Sequence, residues 1–513
     1  MRFKTSSLLV LSLVLLPAAG MAQTSGAPTA HHSYDLTLRG IDIRPGVTIT
    51  PSLEGVANPI VTAKPANAVP GDPSHDYPFL ATNADLASHG YVEEEYFFEG
   101  TANQYNIPTD VGATNVPMST ASVTGSAPYR TRMIVRRPAN SAHFNGTVIM
   151  EWLNVSIFYD LDPLWMGGAE HMMHRGYAYV GVSAQRLGIH SYTGLKNWSP
   201  TRYGSLDVTN GGTVLDDSLQ YDIFSQAGQA VRHPVGVDPM AGLGVQRIIA
   251  VGLSQGAIRL VVYHNAVHPL TGVFDGFMPY MQGGTVRTDL PDADAVKVFK
   301  VLSETDVWRE QATLRQPNSD RLHRWEVAGT SHIDFQGVET IKPLLLRDGL
   351  PAWPERVCDQ QYEFSRIPFS YVGNAAFDAM VRWVRDNIRP PEAPDIEVAS
   401  IGTPVGARSV IARDADGNAL GGIRLSQHAV PTATNTGENG LASGGAYAGF
   451  CRTYGSFLPF TPARLAELYP NHGVYMNQVA RVTDENLAAG YIVWEGAEAT
   501  KAQAAESAIG KRQ

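Results

Sequence analysis

The chain carries only two cysteines, Cys358 and Cys451, in 513 residues. Two cysteines cannot build a disulfide-dense scaffold or a thiolate metal cluster. Charge is sparse as well: Asp, Glu, Lys and Arg make up 17% of the chain, and the net charge is −10. No run of lysine and arginine occurs, so neither nucleic acid nor an anionic membrane surface is expected as a partner. No P-loop and no dinucleotide-binding glycine fingerprint appears, and no cofactor is expected. His171-Met172-Met173-His174 has a metal-like spacing but lacks a third ligand and the glutamate of H-E-x-x-H. It reads as a packing motif, and no metal is expected. Internal repeats and a low-complexity tail are missing. Past the N-terminus, no apolar run approaches the ~20 residues of a membrane span.

The N-terminus is patterned for export. Arg2 and Lys4 precede the apolar run Leu8 to Leu16, and Gly20-Met21-Ala22 supplies small residues for cleavage before Gln23. This reads as a signal peptide over residues 1–22, with a periplasmic or extracellular mature chain. A membrane anchor would need an apolar run about twice as long. In an oxidising compartment, Cys358 and Cys451 form a candidate disulfide. It would close a loop of roughly 90 residues and contribute a few kcal/mol. Two separate buried thiols are the alternative.

Residues 23–90 are rich in Pro, Ala and Gly and read as an irregular wrap. Residues 91–388 alternate strand and helix patterns. Strands are expected at Tyr91–Gly100, Tyr129–Pro138, Gly146–Asn154, Tyr177–Ser183, Ile248–Val251, Phe274–Tyr280, Val296–Leu302 and Leu322–Val327. A helix is expected over Trp165–Arg175, ended by Gly176. This rhythm predicts an α/β class with a mostly parallel sheet, helices on both faces and an antiparallel edge. An aromatic-rich insertion over about 187–246 interrupts it after the fourth core strand. Arg389-Pro390-Pro391 opens a C-terminal extension, 389–513, packed on the core. Weak strands near 396–401 and 421–425 and helices near 462–468, 484–489 and 498–509 are expected there.

One stretch raises a chemical question. In Arg247 to His264, RIIAVGLSQGAIRLVVYH, a buried strand pattern meets Gly252-Leu253-Ser254-Gln255-Gly256 and becomes a helix pattern. Gly-x-Ser-x-Gly alone is weak, because 49 glycines make chance matches common. Between a strand and a helix it predicts a nucleophile elbow, a strained turn that lifts the serine hydroxyl clear of the backbone. A serine needs a base, and the base needs an orienting acid. The next strand patterns end in Ser303-Glu304-Thr305-Asp306 and in Gly329-Thr330-Ser331-His332. Both lie past a strand's C-terminal end, where an α/β sheet places its site. Ser254 is thus the candidate nucleophile and His332 the base. Asp306 is the favoured acid for its placement, with Glu304 the alternative for its reach. The oxyanion hole is expected at the N–H of Gln255 and at Leu153 or Asn154 after the strand MEW. Asn154 has the alternative of bonding within its loop.

These motifs resemble the α/β-hydrolase superfamily, and within it the large exported bacterial "alpha/beta hydrolase domain" proteins. The matching stretches are EWLNVS (151–156), RGYAYVGVSAQ (175–185), RYGSL (202–206), YDIFSQAGQAVR (221–232), VGLSQGA (251–257), SETDVW (303–308) and WEVAGTSHID (325–334). GGIRL (421–425) and the region of Cys451 match too. The resemblance runs from about Tyr91 to the C-terminus. Relatives often carry serine where this chain has Gly256, which leaves the triad untouched. No HGGG-type run follows the MEW strand. The resemblance implies an α/β-hydrolase fold and an exported serine hydrolase acting on a small-molecule or polymeric carboxylic ester. The same triad also serves amide or peptide hydrolases and acyltransferases, and a non-catalytic binding protein is the remaining alternative.

Overall fold

The structure is a computed structural model. It describes residues 56–62, 76–109, 116–292, 295–351, 358–359, 362–440 and 450–511. The leader read at residues 1–22 lies outside them.

Ten strands form one sheet. They are β1 (Ile60–Thr62), β2 (Tyr91–Asn106), β3 (Ser122–Pro138), β4 (Thr147–Trp152), β5 (Ala178–Val182), β6 (Val235–Gly236), β7 (Arg247–Leu253), β8 (Gly276–Tyr280), β9 (Lys297–Ser303) and β10 (Leu322–Val327). Their order is β10-β9-β8-β7-β4-β5-β3-β2-β1-β6. The six strands from β10 to β5 are parallel, and β3, β2 and β1 join antiparallel. The sheet is therefore mostly parallel in its centre with an antiparallel flank, as the strand patterns predict. β2 runs six residues past the predicted Gly100, because its polar tail Thr101–Asn106 stays paired with β3 as far as Ser122.

The central strands read as unbroken apolar runs because helices cover both faces. The helices that matter for the site are α1 (Pro163–His174), α2 (Gln220–Arg232), α3 (Gln255–Val262), α4 (Glu304–Arg309), α5 (Phe335–Arg347), α6 (Phe369–Asp386), α7 (His472–Ala488) and α8 (Trp494–Glu506). Along β7, Ile248 and Ala250 join a cluster with Phe224 and Ala227 of α2 and Leu260 of α3. Ile249 and Val251, one residue out of step, join Trp165 and Met172 of α1 and Met380 and Trp383 of α6. That is the two-residue period of a strand with both faces buried. Each isoleucine or valine among them contributes about 1.5–3 kcal/mol by leaving water.

Residues 187–246, read from the sequence as an insertion, include short helical turns at Arg186–His190, Leu195–Trp198 and Pro200–Tyr203 and then α2. Helix α2 is a core helix with a polar sequence, and every residue from Gln220 to Val231 is buried. Several of its polar groups find partners inside the protein. Asp222 accepts from the Asn103 N–H at 2.8 Å and the Tyr105 hydroxyl at 3.2 Å, and Gln226 accepts from the Tyr129 hydroxyl at 2.8 Å. Polar patterning hid the helix because buried polar groups depend on partners distant in sequence.

Beyond residue 388 the chain lies against the sheet's β10 edge. Ile423 exchanges backbone hydrogen bonds with Glu326 and Ala328, at 2.8 and 3.0 Å. The expected strand at 421–425 is thus reduced to two isolated bridges, Ile396 to Gly421 and Val327 to Ile423, and the second covers an otherwise open edge. Ala497 of α8 joins the core cluster of α1 and α6, and Glu495 pairs with Arg175 at 3.1 Å. Among the described residues, no helix is long and apolar enough to cross a membrane.

Candidate active site

The turn after β7 is built by steric exclusion. Ser254 sits at φ 58°, ψ −116°, a conformation that costs a non-glycine residue on the order of 1–3 kcal/mol. A Cβ at Gly252 would lie 2.8 Å from the Gly256 carbonyl group, and one at Gly256 would lie 2.7 Å from the Trp152 carbonyl oxygen. Both glycines are needed for strand, turn and helix to pass so closely. The Ser254 N–H donates to the Tyr280 carbonyl at 3.0 Å, and its own carbonyl accepts from Ile258 at 3.1 Å. The turn is thereby fixed between β8 and α3.

The candidate acid Asp306 and the candidate base His332 meet. His332 Nδ1 donates to Asp306 Oδ1 at 2.7 Å, and both side chains are buried. Asp306 is the third residue of α4, and its other oxygen accepts the Ser303 N–H at 2.9 Å and the Ser303 hydroxyl at 2.6 Å. This capping box fixes the carboxylate that meets His332. Burial alone would raise the Asp306 pKa. The His332 interaction and the Ser303 hydrogen bonds outweigh it and hold the carboxyl below its ordinary value. With Nδ1–H committed to Asp306, the lone pair of His332 lies on Nε2. His332 and Ser254 open onto one cavity.

Glu304 does not share this contact. Its carboxylate accepts the Gly329 N–H at 2.7 Å, the Gly437 N–H at 3.0 Å and the Arg413 guanidinium at 2.8 Å. It ties the loop before His332 to the C-terminal segment. The longer reach that made it an alternative acid is taken up by that clamp.

The loop after β4 is held from below. Asp160 accepts from the Ser183 hydroxyl and Asp162 from Arg136, while Arg132 joins Glu95 at 2.7 Å and Asp160 at 3.6 Å. Asn154 corrects one expectation. Its backbone N–H donates to the Leu161 carbonyl at 2.9 Å, so it is not an oxyanion donor in this arrangement. Its side-chain amide donates to the Leu253 carbonyl at 3.0 Å and bolts the loop to the elbow. Leu153 remains the candidate beside Gln255, whose N–H heads α3 without an intrahelical partner. Gln185, not singled out from the sequence, bridges the two positions. Its amide donates to the Leu153 carbonyl at 3.3 Å and to the Gln255 side chain at 3.2 Å. The only sequence signal for it is its place just past β5.

Glu151, inside β4, accepts the Leu164 N–H at 3.2 Å and the Tyr179 hydroxyl at 2.8 Å, so it fixes the start of α1. Burial pushes its carboxyl up to about 8 from an ordinary 4.5, aided by the charge of Asp162. A pKa higher in the folded state favours folding below the unfolded value and loses that contribution as pH rises through the folded one. Glu151→Gln preserves the shape. It is expected to match the parent near pH ~4 and to exceed it near pH ~9 by on the order of 2 kcal/mol in urea unfolding. The same difference at both pH values would contradict this.

Cys358 and Cys451 form a disulfide with Cα atoms 5.3 Å apart. Cys451 opens the turn Cys451–Tyr454, whose Thr453 carbonyl accepts the Ile333 N–H at 2.9 Å. The bridge thus anchors the wall beside His332, where Phe450 and Thr453 line the cavity. His171, of the metal-like spacing, instead pairs with Asp378 at 3.1 Å.

A family model described as "Alpha/beta hydrolase domain" matches residues 58–502. No curated protein gives a match. Solved structures with similarity include an α/β serine hydrolase without lid from Xanthomonas campestris, at 16% identity over 44% of this chain and 92% of that one, TM-score 0.25. An α/β serine hydrolase homologue from Coxiella burnetii shares 12% identity over 43% of this chain and 91% of its own, TM-score 0.24. The rice cell wall degrading esterase LipA from Xanthomonas oryzae shares 13% over 39% of this chain and 46% of its own, TM-score 0.22. The family model spans the whole sheet from β1 to β10, the elbow, the Asp306–His332 pair and most of the C-terminal segment. By that match the chain belongs to the alpha/beta hydrolase domain family.

Proposed function

We propose that this protein is an exported serine hydrolase that cleaves carboxylic esters through an acyl-enzyme. The observation that carries the reading is the buried Asp306–His332 hydrogen bond of 2.7 Å opening onto the cavity that also receives the strained Ser254. In this mechanism His332 Nε2 takes the Ser254 proton as the hydroxyl oxygen attacks the ester carbonyl. Asp306 orients the imidazole and stabilises its charged form. The N–H groups of Gln255 and Leu153 meet the oxyanion, aided by the positive end of α3. His332 then gives its proton to the leaving alcohol, and water repeats the sequence on the acyl-enzyme. Export is supported by the leader pattern of residues 1–22 and by the Cys358–Cys451 bridge, which suits an oxidising compartment.

The test pairs an ester with the matching amide. The expected result is turnover of p-nitrophenyl butyrate and none of p-nitrobutyranilide. Comparable turnover of the anilide would overturn the ester assignment and favour amide hydrolysis on the same triad.

A further inference from the structure

The cavity that receives Ser254 and His332 says what kind of ester fits. Its volume is about 200 Å³. Its inner wall is Leu161, Leu164, Tyr280, Phe369 and Phe377, all buried. The Tyr280 ring lies 5.4 Å from Phe377 and 6.3 Å from Phe369, so aromatic surface faces the space from two elements. No lysine or arginine lines it among the described residues. The charge-bearing side chains on the wall are His332 and Asp334, and Asp334 caps α5 through the Gly337 N–H at 2.7 Å. A carboxylate or phosphate on the substrate would find no lysine or arginine to pair with and would meet a carboxyl group.

Two glycines keep this space open. Gly167 lies on α1 at the exposed rim, and a Cβ there would meet only Ser370, at 4.0 Å. Gly373 lies on α6 inside, and a Cβ there would meet Tyr280 at 3.7 Å and Phe369 at 4.0 Å, ordinary contact distances. Nothing in the packing forbids a Cβ at either position. Gly168 differs, because a Cβ there would press on Asn374 and Met172 at 3.3 Å. Helix interiors disfavour glycine when a side chain would fit. At Gly167 and Gly373 the missing side chain leaves cavity.

We infer that the cavity takes the uncharged apolar arm of the ester, one aromatic ring or a chain of about six carbons, and that Gly167 and Gly373 set its size. The size follows from comparison: an apolar cavity of about 150 Å³ accommodates benzene, and this one is somewhat larger. The inference rests on the ester-hydrolase reading and adds its substrate class.

The experiment measures kcat/KM for p-nitrophenyl acetate, hexanoate, benzoate and hemisuccinate, and for benzyl and ethyl acetate, which place the apolar arm on the alcohol side. A fluorophosphonate labelling assay runs in parallel. In the wild type, the hexanoate and benzoate, or the benzyl ester, should exceed their short counterparts by at least about 10-fold. The hemisuccinate should fall below the hexanoate by a similar factor. In Gly167→Leu and Gly373→Leu the long-to-short ratio should drop about 10-fold. Gly167→Leu, on an exposed helix face, keeps the test valid if the buried variant does not fold. Labelling with a flat ratio in both series, or ratios unchanged in the variants, would overturn the inference and leave the hydrolase reading standing. Absence of both labelling and ester turnover would overturn the reading itself and this inference with it.

Discussion

Ser254→Ala is expected to abolish ester turnover, with kcat lower by about 10⁴- to 10⁶-fold. In the proposed mechanism the serine supplies the bond that forms in the first step, and among the described residues no other hydroxyl shares the elbow geometry. Alanine carries the same Cβ at the same φ of 58°, so the unfolding midpoint should stay where it is. Ser254→Gly makes a sharper companion. It is equally inactive but has no Cβ to strain, and should gain about 1 kcal/mol in stability. Steady-state kinetics on p-nitrophenyl butyrate and urea unfolding of the three proteins check both halves. An alanine variant with more than about a hundredth of wild-type turnover would place the nucleophile elsewhere.

The second large effect separates the two carboxylates that the sequence left in competition. Asp306→Asn keeps the shape but replaces an acceptor with an amide that can present its NH2 group to His332. The imidazole then loses both its orientation and the charge that stabilises its protonated form. A fall in kcat of about 10⁴-fold is expected. Glu304→Gln leaves the His332–Asp306 contact in place. It weakens the clamp on Gly329, Gly437 and Arg413, so the expected loss is on the order of 2–3 kcal/mol of stability, with kcat of the folded protein within about 10-fold of wild type. Thermal unfolding and kinetics on both variants decide the matter. A catalytic collapse in Glu304→Gln with Asp306→Asn still active would reverse the assignment. The Asp306 carboxyl titrates below its unfolded value, so its contribution to folding is present above that value and is lost as pH falls through the folded one.

Much of this arrangement could be read in the chain. The elbow was legible because three independent local signals coincide: a strand run, a serine between two glycines and a helix pattern. Asp306 and His332 were legible because each follows a recognisable strand, and sheet topology brings strand ends together. The choice between Asp306 and Glu304 was not legible, since both sit in the first turn of α4 and only the helix phase aims one at His332. Asn154 shows the same limit at one residue. Its position after β4 suggests an oxyanion donor, yet the partner that claims its N–H, Leu161, comes from the far side of the loop. Helix α2 and the Arg132 and Arg136 clusters were hidden for a related reason. Local patterning treats polar residues as surface, whereas Asp222, Gln226, Arg132 and Arg136 are buried and hydrogen-bonded to groups distant in sequence.

The central claim is that Ser254 is an activated nucleophile. Reacting the purified protein with a fluorophosphonate and mapping the adduct by peptide mass spectrometry tests it most directly. The account predicts a single adduct on the peptide containing Ser254, absent from Ser254→Ala and reduced when Asp306 is replaced by asparagine. No adduct on the folded wild type, or an adduct on another residue that persists in Ser254→Ala, would contradict it and leave the elbow as a structural turn on a binding protein.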